Sequence, residues 1–144
     1  MSVELPSAPV DSVIRRNADG LRVGSDATEE LARRIQDRGA ELARSAARSA
    51  DEDGRKTLMA EDFRAPAVDQ DELTLPIAPV DRIARLDIDD YRVSMDARIA
   101  LAHLLESFAD DVAAAAADLA RHADRRTVKA EDVEAYFELQ QYFG

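Results

Sequence analysis

The chain has 144 residues, of which 46% are hydrophobic, and a formal net charge of −11; this length suits one medium domain or two very small ones. It contains no cysteine, which excludes disulfide scaffolds, thiolate metal sites and cysteine nucleophiles. No basic segment precedes an apolar run at the N-terminus and no apolar stretch approaches a membrane-spanning length, so we expect a soluble, intracellular protein with no membrane partner.

The charge is unevenly distributed. Thirty acidic residues oppose nineteen basic ones, and only Lys56 and Lys129 are lysines. Such a surface would normally repel DNA phosphates. It is typical of proteins from salt-loving microbes, although an ordinary acidic protein can share it, and we favour the halophilic interpretation. Two segments nevertheless concentrate cations, GRKTLMAEDF (54–63) and DRRTVKAEDV (124–133).

The chain contains an internal repeat. Three blocks recur at an offset of 70 residues: LPSAPVDSV (5–13) as LPIAPVDRI (75–83), RVGSDA (22–27) as RVSMDA (92–97), and RKTLMAEDF (55–63) as RRTVKAEDV (125–133). Three blocks in one register indicate a tandem duplication. We therefore predict copy one at 1–65, a polar linker at 66–74, and copy two at 75–144.

Each copy is predicted to form a short helix, a long helix and a short helix, so the fold class is all-α. Pro9 and Pro79 suit the first turn of the first helices, where a missing amide hydrogen costs nothing. Ser25 and Ser94 are the candidate N-caps of the long helices. Pro66 predicts an early end to the third helix of copy one.

The two long helices differ in their apolar residues. In copy two these recur mostly at three- and four-residue spacing, as Ile99, Leu101, Leu104, Leu105, Phe108, Val112 and Leu119. Copy one has a thinner stripe, and Gly39 should cost its helix about 1 kcal/mol relative to alanine. We therefore expect copy one to need the tethered surface of copy two.

The blocks LPIAPVDRI, RVSMDARIALA and RHADRRTVKAEDVE resemble the archaeal histone family across almost all of copy two, and copy one matches the same landmarks more loosely. The resemblance implies two tandem histone folds that pair head to tail in a handshake, here as a pseudodimer within one chain. A three-helix strip cannot enclose a core by itself, which is consistent with that pairing.

The resemblance also implies a partner, double-stranded DNA, which the protein would wrap or bend largely without sequence specificity. Arg22 and Arg92 would enter the minor groove, where a guanidinium senses groove width and negative potential. The implied phosphate contacts come from the first helices and the basic loops, namely Arg15, Lys56, Thr57, Arg82, Arg85, Arg126 and Thr127. Ser12 replaces Arg82 in copy one, which leaves one contact in doubt.

Some of these residues have structural alternatives. Arg55 with Asp62, and Arg125 with Asp132, recur at the same spacing and are interpreted mainly as ion pairs that hold loop to helix. The two threonines of the basic loops could instead cap the third helices. His103 is interpreted as a surface or packing residue, since no second metal ligand accompanies it at a suitable spacing.

The resemblance further implies self-association through a four-helix bundle built on Leu119, His122 and Asp132. Copy one has Ser49, Glu52 and an aspartate at these positions, where we expect like-charge repulsion and a missing apolar anchor. Copy two would then form a dimer of doublets that grows no further. High salt, or an arginine partner for the glutamate, could instead relieve the repulsion.

Functions other than DNA wrapping are also compatible with parts of the sequence. The acidic surface leaves open a histone-fold transcription regulator or protein-interaction module with weak or selective DNA binding. The sequence has no glycine-rich phosphate loop and no nucleophile with a base at motif spacing, so we expect no enzyme activity, cofactor or small-molecule substrate. We expect a cytoplasmic protein associated with the chromosome.

Overall fold

The structure is a computed structural model that describes residues 2–143. The helices are α1 (Ser7–Ala18), α2 (Ser25–Glu52), α3 (Ala60–Phe63), α4 (Ile77–Ala84), α5 (Met95–His122) and α6 (Ala130–Gln140). Short strands flank the long helices as β1 (Arg22–Val23), β2 (Thr57–Leu58), β3 (Arg92–Val93) and β4 (Thr127–Val128), and a 3-10 turn spans Gln70–Glu72 in the linker. None of these helices is long and apolar enough to cross a membrane, a finding that applies to residues 2–143.

The two copies pair head to tail. Strand β1 of copy one runs parallel to β4 of copy two, and β2 of copy one runs parallel to β3 of copy two. Each copy therefore places its first loop beside the second loop of the other copy. The predicted fold class, an all-α protein with two histone folds in an intrachain handshake, is confirmed.

Both copies contribute to a single hydrophobic core. The short helices α1 and α3 of copy one pack on α5, while α4 and α6 of copy two pack on α2. Leu31 and Ile35 of α2 and Leu101 and Leu105 of α5 are all fully buried in one cluster. Because the short helices cover the long helix of the other copy, much of each copy's apolar surface is buried only by the pairing.

Gly39 lies buried in α2 at a close approach between the copies. A Cβ built on this residue would lie 2.5 Å from Cγ2 of Ile83 in α4 and 3.1 Å from Cδ1 of Leu105 in α5. The sequence indicated only the propensity cost of this glycine. Its missing side chain in fact provides the space into which two helices of copy two pack.

One of the two predicted N-caps is wrong. Ser94 precedes α5, and its side chain accepts a hydrogen bond from the amide of Ala97 at 3.1 Å. Ser25 is already the first residue of α2, and the cap position belongs to Gly24. The repeat explains the error, because Gly24 and not Ser25 stands 70 residues before Ser94.

The short third helix of copy one is confirmed, since α3 ends at Phe63 and Arg64 takes a left-handed conformation with φ 54°. The capping role considered for Thr57 and Thr127 is wrong, because both residues lie in strands. The acidic side chains at the third position of each helix take this role, by accepting hydrogen bonds from the amides that precede α3 and α6.

Candidate nucleic-acid interface

The paired strands form two edges of the molecule at equivalent places in the repeat. We call residues 17–23 with 121–128 the Arg22 edge, and residues 51–58 with 87–93 the Arg92 edge. On the first, the amide of Arg22 donates to the carbonyl of Arg126 at 2.8 Å; on the second, the amide of Arg92 donates to that of Lys56 at 2.9 Å. Each basic loop is thus fixed beside the Arg-Val strand of the other copy.

Three cations at these edges have no side-chain partner among residues 2–143. The side chains of Arg22, Arg92 and Arg126 are exposed, and none forms an ion pair or side-chain hydrogen bond with any residue in the described range. The strand register places Arg22 opposite Thr127 and Arg92 opposite Thr57. Each edge therefore presents an unpaired guanidinium next to a threonine, a combination suited to a negatively charged ligand with oxygen acceptors.

Lys56 differs from these arginines because it is surrounded by partners. Its ammonium lies 4.5 Å from the ring centroid of Tyr91 and donates to the hydroxyl of that residue at 3.4 Å. Asp51 and Asp90 lie 3.6 and 3.9 Å away. The hydrogen bond to Tyr91 is the main cause that raises the pKa of Lys56, and the attraction of both carboxylates adds to it although partial burial opposes the shift.

The arginines of the first helices are each tethered to a carboxylate. Arg15 contacts Asp11 at 2.6 Å and Arg85 contacts Asp81 at 3.1 Å, one helical turn away in both cases. Arg82 reaches Glu4 at 3.0 Å. Arg15 and Arg82 are exposed, and ion pairs at such positions contribute little to stability, so both can exchange a carboxylate for another anion at low cost. Arg85 is half-buried and also donates to the carbonyl of Tyr91 at 3.1 Å.

In both copies, the arginine of the basic loop forms an ion pair with the aspartate seven residues later in the third helix. Arg55 donates to the two carboxylate oxygens of Asp62 at 2.9 and 3.0 Å, and Arg125 also contacts its aspartate, Asp132. The side chain of Asp62 is 0% exposed. The Arg55 guanidinium, helped by the amide of Met59, lowers the pKa of Asp62 to about 2 although burial opposes the shift.

Arg16 forms a bridge between the copies that no sequence pattern indicated. This side chain contacts Asp110 at 2.9 Å and Glu106 at 3.0 Å, both on α5, and donates to the hydroxyl of Thr74 in the linker at 2.9 Å. The repeat could not indicate it, because copy two has Leu86 at the equivalent position.

The residues assigned to self-association lie at the outer end of copy two. Leu119 is half-buried and His122 is exposed, and both line a groove of about 500 Å³ together with Tyr136, Leu139 and Phe143. The carboxylate of Asp132 lies on α6 but is already bonded to Arg125 and to the amide of Lys129.

The equivalent surface of copy one is arranged differently. Ser49 donates its hydroxyl to Asp62 at 2.7 Å, so this aspartate is bonded to Ser49 as well as to Arg55 and the amide of Met59. Glu52 is exposed at the end of α2. This surface is polar, being lined by Ser45, Arg48, Ser49, Glu52 and Arg64 among others.

Known proteins resemble this chain in sequence. An archaeal histone HAN1 subunit from Thermococcus zilligii is 56% identical over 59 residues, which are 41% of this chain and 87% of that protein. Probable archaeal histone 3 from Methanocaldococcus jannaschii is 46% identical over 61 residues, which are 42% of this chain and 90% of that protein.

Solved structures resemble almost the whole fold. The histone from Methanopyrus kandleri superposes with a TM-score of 0.67 at 25% identity, covering 90% of this chain and 91% of its own. A protein from Thermus thermophilus superposes with a TM-score of 0.70 at 21% identity, covering 96% and 98% of the two chains, which shows a shared fold.

The repeat itself is matched twice by one family model. That model is described as histone-like transcription factor (CBF/NF-Y) and archaeal histone, and it matches residues 3–65 and 73–135. The resemblance stated from the sequence is confirmed. Because both copies match and together span most of the sequence, the chain belongs to the family of histone-like transcription factors (CBF/NF-Y) and archaeal histones, as a tandem member.

Proposed function

We propose that this protein is an architectural, chromosome-associated protein that binds double-stranded DNA and bends or wraps it largely without sequence specificity. The observation that carries the proposal is the pair of exposed guanidinium groups of Arg22 and Arg92, one on each edge beside a basic loop, neither of which has a side-chain partner within residues 2–143. The sequence relatives named as archaeal histones support it. A guanidinium inserted into the minor groove senses groove width and negative potential instead of base identity.

Phosphate contacts would surround these two insertions. Their donors are the basic-loop and first-helix residues Arg15, Lys56, Thr57, Arg82, Arg85, Arg126 and Thr127. The first-helix arginines would exchange Asp11, Asp81 and Glu4 for phosphate oxygens, which also accept charge-assisted hydrogen bonds. The net charge of −11 does not prevent this, because the cations are concentrated where DNA would bind.

The test is a titration with duplex DNA across a range of salt concentrations, comparing wild type with an Arg22→Ala, Arg92→Ala double variant. Losing two contacts should weaken binding and make the slope of log K against log salt shallower by about 1.8. The matched control replaces Arg33 and Arg38 by alanine, since both are exposed on α2 and pair with Glu30 and Glu41. Equal affinity for all three proteins would contradict the proposal.

We further propose that two doublets associate through copy two, giving four histone folds and no further growth. Leu119 and His122 face an open apolar groove on copy two, whereas Ser49 occupies the carboxylate of Asp62 on copy one. The sequence predicted two obstacles on copy one, repulsion by Glu52 and the missing apolar anchor at Ser49, and the hydrogen bond from Ser49 to Asp62 adds a third. A closed two-fold contact ends assembly, because each surface is used once.

Exchanging residues between the copies tests this assembly by analytical ultracentrifugation on DNA. Leu119→Ser with His122→Glu should leave a single doublet. The reciprocal Ser49→Leu with Glu52→His should create a second contact and allow growth beyond two doublets. Unlimited growth of the wild type with protein concentration would show that the copy-one surface is open.

A second candidate function is a histone-fold regulator or protein-interaction module. The Arg92 edge favours this function, because residues 51–58 and 87–93 contain six acidic and only three basic residues. A protein that wraps DNA over both edges would be expected to carry more cations on this edge. Selection of bound sequences from a random duplex library distinguishes the two functions. An enriched sequence motif would support the regulator, and an unbiased pool would support the architectural protein.

A further inference from the structure

We infer that the two edges contribute unequally to DNA binding, and that the Arg22 edge is the main contact. On the Arg92 edge, Asp51 and Tyr91 hold the ammonium of Lys56, and the carboxylate acts as an internal counterion. This inference rests on the proposed DNA binding and specifies how the same site works.

The charges of the two edges differ although their positions are equivalent in the repeat. The Arg22 edge has four basic and two acidic residues, and the Arg92 edge has three basic and six acidic residues. Their formal net charges are therefore +2 and −3 with histidine neutral. Since phosphate neutralisation supplies most of non-specific DNA affinity, the first edge is the more favourable surface for a duplex.

The contacts on the Arg92 edge explain how Lys56 is held. The hydroxyl of Tyr91 lies 2.7 Å from both carboxylate oxygens of Asp51 and accepts from Lys56 at 3.4 Å. The tyrosine thereby connects the carboxylate to the ammonium, which also lies over its ring. Because Asp90 also lies within 4 Å of the ammonium, a phosphate that approaches Lys56 meets two carboxylates.

The equivalent positions on the Arg22 edge carry the opposite chemistry. Arg126 stands where Lys56 stands, and Leu21, Gly20 and Arg121 occupy the positions equivalent to Tyr91, Asp90 and Asp51. Arg121 donates to the carbonyl of Ala18 at 2.8 Å and pairs with the exposed carboxylate of Asp118 at 2.8 Å, which fixes a second cation on this edge. Arg126 itself has no side-chain partner in the described range, so a phosphate can bind it without displacing a carboxylate.

The energetic difference follows from these contacts. A phosphate bound by Lys56 would have to break its contacts with Tyr91 and Asp51 and would leave an uncompensated carboxylate close to the DNA. A phosphate bound by Arg126 breaks no side-chain contact with any residue from 2 to 143. Salt screens repulsion between exposed charges beyond about 10 Å at 0.1 M but much less at contact distance, so the difference should remain measurable at moderate salt.

Two double variants that remove the same charge test the inequality. Arg22→Ala with Arg126→Ala should make the slope of log K against log salt shallower by about 1.8, while Lys56→Ala with Arg92→Ala should make it shallower by only about 0.9, the contribution of Arg92 alone. Equal losses would overturn the inference and leave the proposed function intact. A wild type that binds no duplex at any salt would overturn both.

Single substitutions test the internal counterion. Asp51→Asn removes the nearer of the two carboxylates from Lys56, and should tighten DNA binding and steepen the salt slope by up to about 0.9. Tyr91→Phe keeps the ring but removes the connecting hydroxyl, and should shift affinity in the same direction by less. Asp37→Asn on α2 removes the same negative charge at an exposed position outside either edge. If Asp51→Asn and Asp37→Asn bind DNA alike, the effect is one of net charge and the inference is wrong.

Discussion

The two copies share the same order of helices and strands but differ in their side chains, and the difference is clearest in the long helices. At the crossing, α5 contributes fully buried Leu105 and Ala109, while α2 contributes Ile35 and Gly39 at the same repeat positions. The glycine leaves space that Ile83 and Leu105 fill. The missing side chain at Gly39 of copy one is thus offset by the larger side chains of Ile83 and Leu105 in copy two.

Covalent fusion makes such divergence possible. In a symmetric homodimer every surface residue occurs twice, so a change on one side is repeated on the other. Here the halves always occur in equal number within one chain, and each can keep a different feature. Copy one has Arg16 as a bridge to α5, and copy two has the apolar groove beside Leu119.

The largest expected effect comes from emptying the shared core on either side. Ile35→Ala and Leu105→Ala each remove a fully buried side chain and should lower the free energy of unfolding by about 2 to 5 kcal/mol. Because both side chains belong to one cluster, each variant should still unfold in a single transition. Denaturant unfolding followed by circular dichroism tests this, and two separate transitions would show that the copies fold independently.

Gly39 and Ala109 provide a sharper comparison at a smaller magnitude. Propensity alone predicts that Gly39→Ala stabilises α2 by about 1 kcal/mol. The added Cβ would lie 2.5 Å from Cγ2 of Ile83. This overlap instead predicts that the free energy of unfolding falls by about 1 to 3 kcal/mol. Ala109→Gly should also destabilise, by about 1 kcal/mol, because it loses propensity without relieving a contact. Chemical denaturation measures both changes, and a more stable Gly39→Ala variant would show that the neighbouring helices can move apart.

The sequence predicted those features that depend on the repeat and on local chemistry. The offset of 70 residues, the apolar spacing and Pro66 indicated the helices, and the resemblance indicated their pairing. The Arg16 bridge and the Lys56, Tyr91 and Asp51 cluster could not be predicted. They join residues distant in sequence, at positions where the repeat equivalents differ, so neither spacing nor the other copy provides a signal for them.

The third comparison concerns the buried aspartate of copy one under acid. The pKa of Asp62 is lowered to about 2 from a normal value of 3.8, so its contribution to stability is complete above about pH 4 and is lost as pH falls towards 2. Asp62→Asn should be less stable at pH 7 and should lose less stability over that acidic range. Asp53→Asn is the control, since that exposed carboxylate also contacts Arg55. Parallel pH profiles for wild type and Asp62→Asn would contradict the assignment.

The smallest expected effect separates the two helix starts. Ser94→Ala removes the side-chain oxygen that accepts a hydrogen bond from the amide of Ala97. This change should lower the free energy of unfolding by about 1 kcal/mol. Ser25→Ala replaces an exposed first-turn residue that caps nothing, so its free energy of unfolding should stay within about 0.5 kcal/mol of wild type. The two variants differ from wild type by the same single oxygen atom, and thermal unfolding of both therefore measures the cap itself. Equal losses would mean that copy one also depends on its serine, in a helix that already begins at a glycine cap.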